Sequence, residues 1–445
     1  MQEVETMSRR EQIMRSFDAQ SEWLQETAQQ GIERNRKGWA QVQVTDAQGN
    51  PLPGARVHAE QRSHDFRFGA NLFMLGQFDT PEKNATYEQR FSELFNMATL
   101  PFYWSDLEPE KGKLRFDRNS PPIYRRPPID TSLDFCAAHG IEPREHALAY
   151  EHFFPDWLCD ADVFTVKREL SRRMREVAER CGDRIRTMEI TNEMYWGKGR
   201  TAFYDEDDYI SWCFHEARRH MGANQLVINE WSGFWEDRGT SRDWYYALIE
   251  RELLRGTPID AVGMQYHMFF RAEEEAERTR LYYDPQHLTR ILDRYGKFGL
   301  PLQITEVTVP AYTDRPEDEA LQAELLTNLY TLWFSHERME QIVYWNLPDG
   351  YAAFAPQGDM TAGENYFRGG LLHFDLTPKP AYEALYDLIH VKWHTSADRR
   401  TAEDGSAAFK GFYGDYELTA QLNGHTVKKT VHLGRNLDNA FTITL

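Results

Sequence analysis

Ile185-Arg-Thr-Met-Glu-Ile-Thr-Asn-Glu193 is a short β-rich run that ends in an amide and a carboxylate. It lies between two stretches of helical periodicity, residues 166–181 and 207–221. A strand enclosed by helices is the repeating unit of α/β folds with a parallel sheet. The run therefore predicts one β/α unit, and the chain contains more of them.

Similar strand-like runs recur between about residues 64 and 395, separated by longer helical segments. In chain order the runs are 66–71, 96–103, 142–150, 185–192, 226–229, 259–267, 302–305 and 342–345. Eight such units over this length predict an α/β fold of the (β/α)8 or TIM-barrel type.

The two ends of the chain have another pattern, in which polar and apolar residues alternate as in half-buried strands. After an amphipathic stretch at 8–36, runs at 39–45 and 55–61 flank a turn rich in Gly, Asn and Pro, which predicts a β-hairpin. Near the C-terminus, two runs flank Asn423-Gly424, a strong hairpin signal.

The predicted organisation has four regions. They are an N-terminal helix at 1–37, a β-hairpin at 38–63, the (β/α)8 barrel at 64–395 and a β-rich segment at 396–445. Each terminal β-piece is too small to bury a face alone. We therefore interpret the two pieces as one accessory module, which could form a small β-sandwich.

Charge and composition exclude several classes of partner. The chain has 70 Asp and Glu residues against 51 Lys and Arg, a formal charge of −19. Nucleic acids and anionic membranes are bound through basic patches, so neither is expected as a partner. The apolar runs are too short to span a bilayer. The 12 Trp, 22 Tyr and 26 Phe residues either fill the core or stack on flat ligand faces such as sugar rings.

The cysteines and the N-terminal residues indicate the cellular compartment in which the protein is expected. Cys136, Cys159, Cys181 and Cys213 show no CxxC pair or zinc-like spacing, so we expect free thiols. The first 30 residues are charged and lack the apolar stretch of a secretory signal. These features favour a cytoplasmic protein, or a secreted one whose signal peptide has been removed.

Polar and aromatic residues follow the predicted strands at their carboxyl ends, where barrel enzymes carry their active sites. From the third strand to the eighth they are His146, Tyr150, Asn192, Glu193, Glu230, Trp231, Gln265, His267, Glu306, Trp345 and Asn346. Polar groups in these positions would be costly if merely buried. Their convergence predicts a functional pocket.

Glu193 and Glu306 end strands on opposite sides of the predicted barrel mouth. Two carboxylates across a pocket suit the cleavage of a glycosidic bond, because one protonates the leaving oxygen while the other attacks the anomeric carbon or activates water. Either residue alone could be a surface glutamate favoured at a helix start. Their shared setting favours catalysis.

These motifs resemble glycoside hydrolase family 10, the xylanase family of retaining (β/α)8 enzymes, over most of residues 64–395. Glu189-Ile-Thr-Asn-Glu193 is similar to the acid/base motif, and Leu302-Gln-Ile-Thr-Glu306-Val to the nucleophile motif. The resemblance implies Glu193 as acid/base and Glu306 as nucleophile. It also implies Asn192 as the partner of the sugar 2-hydroxyl.

The resemblance extends to substrate-binding positions. Arg144-Glu-His146-Ala-Leu-Ala-Tyr150 resembles the third-strand motif, which implies that His146 contacts the sugar at the cleavage site. Val262-Gly-Met-Gln265-Tyr-His267 resembles the sixth-strand motif, which implies that Gln265 and His267 flank Glu306 and donate hydrogen bonds to it. The candidate sugar-facing walls are Trp104, Tyr150, Trp231 and Trp345. No cofactor or metal is implied.

The chain departs from the family pattern on the glycone side of the cleaved bond. A polar cluster of Glu, Asn and Lys on the second strand normally holds the next sugar there, and Thr99-Leu-Pro-Phe-Tyr103 replaces it before Trp104. Tyr150 replaces a Trp, and Ala353 beside Phe354 replaces the second Trp of the eighth strand. The catalytic motifs match, whereas the glycone clamp of a xylanase does not.

The prediction is a retaining β-glycosidase that hydrolyses β-linked, xylan-type saccharides, with its carboxyl groups roughly 5 Å apart. An endo-xylanase would have an open cleft, whereas an exo-acting or short-oligosaccharide β-glycosidase would have a pocket closed on the glycone side. A non-catalytic carbohydrate-binding protein would keep the aromatic residues without needing both glutamates.

A metal hydrolase is a further alternative. His215-Glu216-Ala-Arg-Arg-His220 is one residue too long for the HExxH motif, so its histidines point about 140° apart around a helix. His146, His152 and His267 could in principle line a metal, although the resemblance places His146 against the sugar and His267 beside Glu306.

Overall fold

The computed structural model describes residues 7–195 and 199–445; the first six residues of the predicted N-terminal helix lie outside this range. The strands are β1 (Lys37–Thr45), β2 (Arg56–Gln61), β3 (Arg67–Asn71), β4 (Met97–Pro101), β5 (Glu142–His146), β6 (Thr187–Asn192), β7 (Gln225–Glu230), β8 (Ala261–His267), β9 (Leu302–Thr308), β10 (Met339–Tyr344), β11 (Ser396–Arg400), β12 (Ser406–Phe412), β13 (Gly414–Leu422), β14 (His425–Leu433) and β15 (Ala440–Thr444). The helices are α1 (Arg9–Ile13), α2 (Arg15–Ala19), α3 (Ser21–Asn35), α4 (Pro81–Leu94), α5 (Trp104–Leu107), α6 (Ile129–His139), α7 (Val163–Cys181), α8 (Tyr209–His220), α9 (Trp244–Leu254), α10 (Glu275–Arg278), α11 (Pro285–Gly296), α12 (Pro316–Ser335) and α13 (Pro380–Tyr386).

Strands β3 to β10 close into a parallel barrel, in which β10 pairs with both β9 and β3. Each of the eight runs identified from the sequence overlaps one barrel strand, and the predicted (β/α)8 fold is confirmed. Strands such as β4 and β9 are buried along their whole length because helices cover the outside of the barrel. All eight strands deliver their carboxyl ends to one face.

The N-terminal amphipathic stretch is three helices rather than one, interrupted at Met14 and Gln20. Helix α3 packs against α12, and the contact is close at Gly31, where an added Cβ would lie 2.6 Å from the Ser335 carbonyl oxygen. The Asn35 amide donates to the same carbonyl at 2.9 Å. The segment is thereby fastened to the outside of the barrel.

The terminal β-segments form two sheets, one in the order β12-β1-β15 and the other in the order β11-β2-β13-β14. The sheets share an apolar core that includes Val42 of β1, Val57 of β2 and Leu418 of β13, each at most 1% exposed. The β-rich extensions thus form the sandwich arrangement that the sequence left as one interpretation. Each sheet alone would leave one apolar face in water.

The predicted N-terminal hairpin is wrong, because β1 and β2 lie in different sheets. Strand β1 pairs with β12 and β15, whereas β2 pairs with β11 and β13. Alternation specifies which face of a strand is buried but not which strand lies beside it. The C-terminal hairpin is confirmed: β13 and β14 pair through Asn423 and Gly424, which both have positive φ as a type I′ turn requires.

The four cysteines are free, as predicted from their spacing. Among the residues the structure describes, no helix is both long enough and apolar enough to cross a membrane.

Candidate active site

A cavity of about 550 Å³ opens at the carboxyl ends of the barrel strands. Nine of the ten residues predicted for the site line it: His146, Tyr150, Asn192, Glu193, Trp231, Gln265, His267, Glu306 and Trp345. They come from six different strands or from the connections that follow them. The barrel therefore gathers residues up to 199 positions apart around one space.

Trp104 is the exception, and its prediction as a sugar-facing wall is wrong. Its side chain is 1% exposed, packs edge-on against Phe154 and Trp157, and donates from Nε1 to Glu108 at 2.9 Å. A buried indole N–H requires an acceptor, and Glu108 lies one helical turn further along the chain. That acceptor draws Trp104 into the barrel wall.

The Glu193 carboxyl group directly follows β6 and has two hydrogen-bond donors. Tyr150 Oη donates to one oxygen at 2.5 Å, and Gln265 Nε2 donates to the other at 2.9 Å. The backbone of Glu193 has a φ of 53°, a left-handed conformation that is costly for a residue with a Cβ. Such strain is tolerated where the side chain must occupy one particular place.

Glu306 lies within β9 and is almost completely buried. Its carboxyl oxygens lie 3.0 Å from His267 Nε2 and 3.2 Å from Asn229 Nδ2. Burial raises the pKa of Glu306 to about 8, and the nearby Glu189 and Glu193 carboxylates act in the same direction against His146. Burial lowers the pKa of His267 to about 4, so its ring is neutral at pH 7.

The expectation that Gln265 donates to Glu306 is wrong. Its amide donates to Glu193 and, at 3.3 Å, to Asn192 Oδ1. Asn229 takes the expected place: its Nδ2 reaches both Glu306 and Asn192, and Thr305 Oγ1 holds its Oδ1 at 2.8 Å. The three amides therefore connect the two carboxyl groups by hydrogen bonds.

Asn229 is the last residue of the fifth strand-like run, 226–229, and nothing in that run indicates that its amide bonds Glu306. Its Cα pairs with that of Gly263 across β7 and β8, and an added Cβ there would lie 2.5 Å from Asn229 Oδ1. The glycine leaves room for the amide. A glycine on one strand opposite a polar residue on the next is the signal that could have identified it.

A buried group of charges lies beneath the cavity. Glu189 accepts from Arg144 and lies 2.8 Å from His146 Nδ1, while Tyr103 Oη lies 3.0 Å from His146 Nε2. Burial opposes ionisation of both partners, yet their attraction lowers the pKa of Glu189 and raises that of His146. This ion pair fixes the imidazole that faces the cavity.

Aromatic rings form much of the lining. Trp345 makes edge-on contacts with His146, His267 and Phe73, with centroids 5.5 to 5.7 Å apart. The Trp231 ring also lines the cavity and lies against Gly233, where a Cβ would be 2.3 Å from the indole. Flat apolar rings in the lining of a cavity suit the faces of a sugar.

One side of the cavity contains residues outside the ten predicted for the site, here called the arginine wall: Phe73, Tyr103, Arg125 and Arg126. The Arg126 guanidinium lies 4.1 Å from the centre of the Tyr103 ring and pairs with Asp106 at 2.6 Å. Both arginines belong to the long connection between α5 and α6, which carries no recognisable motif.

Of the second-strand residues that depart from the family pattern, only some lie at the cavity. Leu100, Pro101 and Phe102 are buried in the barrel wall, and of this group only Tyr103 lines the cavity. Most of the side chains in the arginine wall therefore come from outside the second strand, and two of them, Arg125 and Arg126, come from the connection between α5 and α6.

The alternative metal sites are not assembled. His220 bonds Glu216 on α8 at 3.2 Å, whereas His215 and His152 are exposed. Within the described residues, His146, Glu189 and Glu306 are a group whose ligand atoms lie within 4.8 Å of one another. Arg144 and His146 already engage both oxygens of Glu189, and a guanidinium in contact repels a cation.

Comparisons with known proteins agree with this architecture. The family model described as glycosyl hydrolase family 10 matches residues 65–388. The anti-sigma-I factor RsgI6 of Acetivibrio thermocellus is 25% identical over 411 residues, which are 91% of this chain and 47% of that protein. The endo-1,4-beta-xylanase B of Paenibacillus barcinonensis is 24% identical over 246 residues, 50% of this chain and 70% of that enzyme.

Among solved structures, native xylanase 10B from Thermotoga maritima superimposes with a TM-score of 0.58 at 20% identity, covering 74% of this chain and 96% of that one. This likeness shows the barrel fold. The chain spans about half, or less, of the length of the first curated relatives it matches.

Proposed function

The chain belongs to glycosyl hydrolase family 10, and from this premise we propose that it is a retaining β-glycosidase acting on β-linked saccharides of the xylan type. The observation that carries the proposal is the pair Glu193 and Glu306 facing one aromatic cavity, each with its own hydrogen-bond donors. Two carboxyl groups in separate environments are what a double displacement requires. Several relatives with partial coverage are named endo-1,4-beta-xylanases, which supports the substrate class.

In the first step Glu306 attacks the anomeric carbon while Glu193 gives its proton to the leaving oxygen. His267 and Asn229 can both donate to Glu306, which stabilises its ionised form against burial. The positive charge that develops on the sugar favours the same ionised form. Electrostatic stabilisation is therefore greatest in the transition state.

In the second step Glu193, now ionised, takes a proton from water, which attacks the glycosyl-enzyme and releases Glu306. Tyr150 and Gln265 hold the two oxygens of Glu193 through both steps. Asn192 lies between the two carboxyl groups, and its Nδ2 is available to the sugar 2-hydroxyl while its Oδ1 accepts from the neighbouring amides.

The test is to trap the intermediate. A 2-deoxy-2-fluoro xylosyl or xylobiosyl inactivator with a good leaving group should add its glycosyl mass to the peptide that contains Glu306. The Glu306→Ala variant should neither be labelled nor release product from an aryl β-xylobioside. An exposed Glu317→Gln variant serves as the matched control.

Labelling at another residue, or undiminished turnover by Glu306→Ala, would remove the assignment. If the wild-type chain binds xylo-oligosaccharides and releases no sugar, the chain is instead a carbohydrate-binding protein. Inversion at the anomeric carbon, followed by NMR, would exclude the double displacement.

A second form of the activity, exo-acting or limited to short oligosaccharides, is supported by one contact. Arg125 donates to the Tyr351 carbonyl and, at 2.9 Å, to Asn346 Oδ1. It thereby ties the connection before α6 to the one after β10 on the arginine wall. This bridge would close the glycone side, and products of one or two sugars from xylohexaose would distinguish it from an open endo-acting cleft.

A further inference from the structure

Arg125 is a buried cation without an acidic partner. Its residue is 3% exposed, and within the described residues no carboxylate forms an ion pair with it. Its two terminal nitrogens donate to the Tyr351 carbonyl and the Asn346 amide, while its Nε is buried without a hydrogen-bond partner. Buried charges are normally paired, because desolvation without compensation is expensive.

The charges around Arg125 compensate this cation only in part, and none of them is in direct contact with it. Arg126, beside it, is neutralised by Asp106. Glu364 attracts Arg125 electrostatically but does not touch it. The Glu364 carboxylate accepts from Asn346 Nδ2 at 2.8 Å, whereas Arg125 donates to Oδ1 of the same amide. Burial lowers the pKa of Arg125, in keeping with a charge held at a cost.

The position of Arg125 relates it to the reacting centre. Its guanidinium carbon lies 5.4 Å from the centre of the Phe73 ring, which in turn contacts Trp345. Trp345 contacts His267, the residue that bonds Glu306. Two aromatic rings thus separate Arg125 from the imidazole beside the nucleophile, so it borders the position next to the cleavage site rather than the site itself.

We propose that the substrate carries a carboxylate on the glycone-side sugar one position beyond the sugar whose bond is cleaved, and that Arg125 binds it. The class is an acidic saccharide, with the carboxylate on a uronosyl residue of the chain or on a uronosyl branch. The proposal rests on the proposed function and adds its specificity. A planar guanidinium with a free N–H is the group that recognises a carboxylate best.

The experiment compares aryl β-xylobiosides that differ only at the non-reducing sugar. One has no substituent, one carries a glucuronosyl branch, one carries the methyl ester of that branch, and one replaces the xylosyl unit by a glucuronosyl residue. The ester has nearly the same shape without the charge. We expect kcat/KM for at least one free acid to exceed that of its ester, or of the neutral parent, by tenfold or more.

Arg125→Gln should bring the ratio of acid to ester close to one, whatever happens to the absolute rates. Arg118→Gln, an exposed arginine of the same connection, should keep the wild-type ratio. The wild-type ratio alone decides the case if Arg125→Gln does not fold. Preference for the branched acid or for the glucuronosyl residue identifies which source of carboxylate is used.

Cleavage of the neutral substrate with no preference for either acid would overturn this inference and leave the glycosidase assignment intact. A loss of preference in Arg118→Gln equal to that in Arg125→Gln would also overturn it. Absence of cleavage throughout the panel would remove the proposed function, and with it this extension.

Discussion

Replacing Glu306 by Gln is expected to make the protein more stable while it removes catalysis. The amide keeps the shape of the carboxyl group, so Asn229 can still donate to its oxygen. His267 is neutral at pH 7 and can take the tautomer that accepts from the new NH2 group. The packing is therefore preserved, and what is lost is a carboxylate that is costly to ionise.

The magnitude follows from the pKa of Glu306, which burial raises from 4.5 to about 8. Between these values the unfolded chain releases the proton and the folded chain keeps it, so native stability falls as pH rises. At about 1.4 kcal/mol per pKa unit the whole interval costs about 5 kcal/mol. Since Gln does not titrate, the Glu306→Gln variant avoids this cost. Its free energy of unfolding should exceed that of wild type by about 1 kcal/mol at pH 5 and by about 5 kcal/mol at pH 9.

The assay is urea unfolding of wild type and variant at pH 5, 7 and 9, followed by circular dichroism. Glu417→Gln is the control of opposite sign, because hydrogen bonds from Lys428 and Arg62 lower the pKa of that exposed carboxyl group. It should show no gain that grows with pH. If the stability difference between wild type and Glu306→Gln is the same at all three pH values, the burial argument for Glu306 is refuted.

Two further substitutions test the hydrogen bonds of the site. Tyr150→Phe removes a charge-assisted bond to Glu193 worth about 1.5–3 kcal/mol, so kcat/KM on an aryl β-xylobioside should fall by one to two orders of magnitude; an unchanged value would contradict the role of the hydroxyl. Gly263→Ala forces a Cβ to within 2.5 Å of Asn229 Oδ1 and should cost about 1–3 kcal/mol in urea unfolding together with most of the activity. Gly222→Ala, with no atom within 4 Å of its added Cβ, is the matched control, and equal stability of the two variants would show that Asn229 can move.

The sequence predicted the barrel well because its evidence is local. Each barrel strand is a short apolar run between helical segments, and that pattern survives whatever surrounds it. The same reasoning failed for β1 and β2, since the alternating pattern describes a buried face and carries no information about the neighbouring strand. The Asn423-Gly424 hairpin succeeded because its turn residues require one backbone conformation.

The sequence predicted which residues belong to the site better than it predicted the hydrogen bonds between them. Gln265 pairs in register with Glu306, yet it bonds Glu193, and the ladder between β8 and β9 shifts register just before Gln265. A register shift redirects the side chains that follow it. Trp104 was misplaced because its buried acceptor, Glu108, decides which way the indole turns.

By itself, the sequence determined the eight strands and the polar residues at their ends, because parallel strands in a closed barrel all end at one face. Only the tertiary structure decided which amide serves which carboxyl group, since those bonds join strands whose relative register no single segment encodes. It alone also placed Arg125 in the cavity. That side chain is held by Tyr351 and Asn346, more than 200 residues away along the chain.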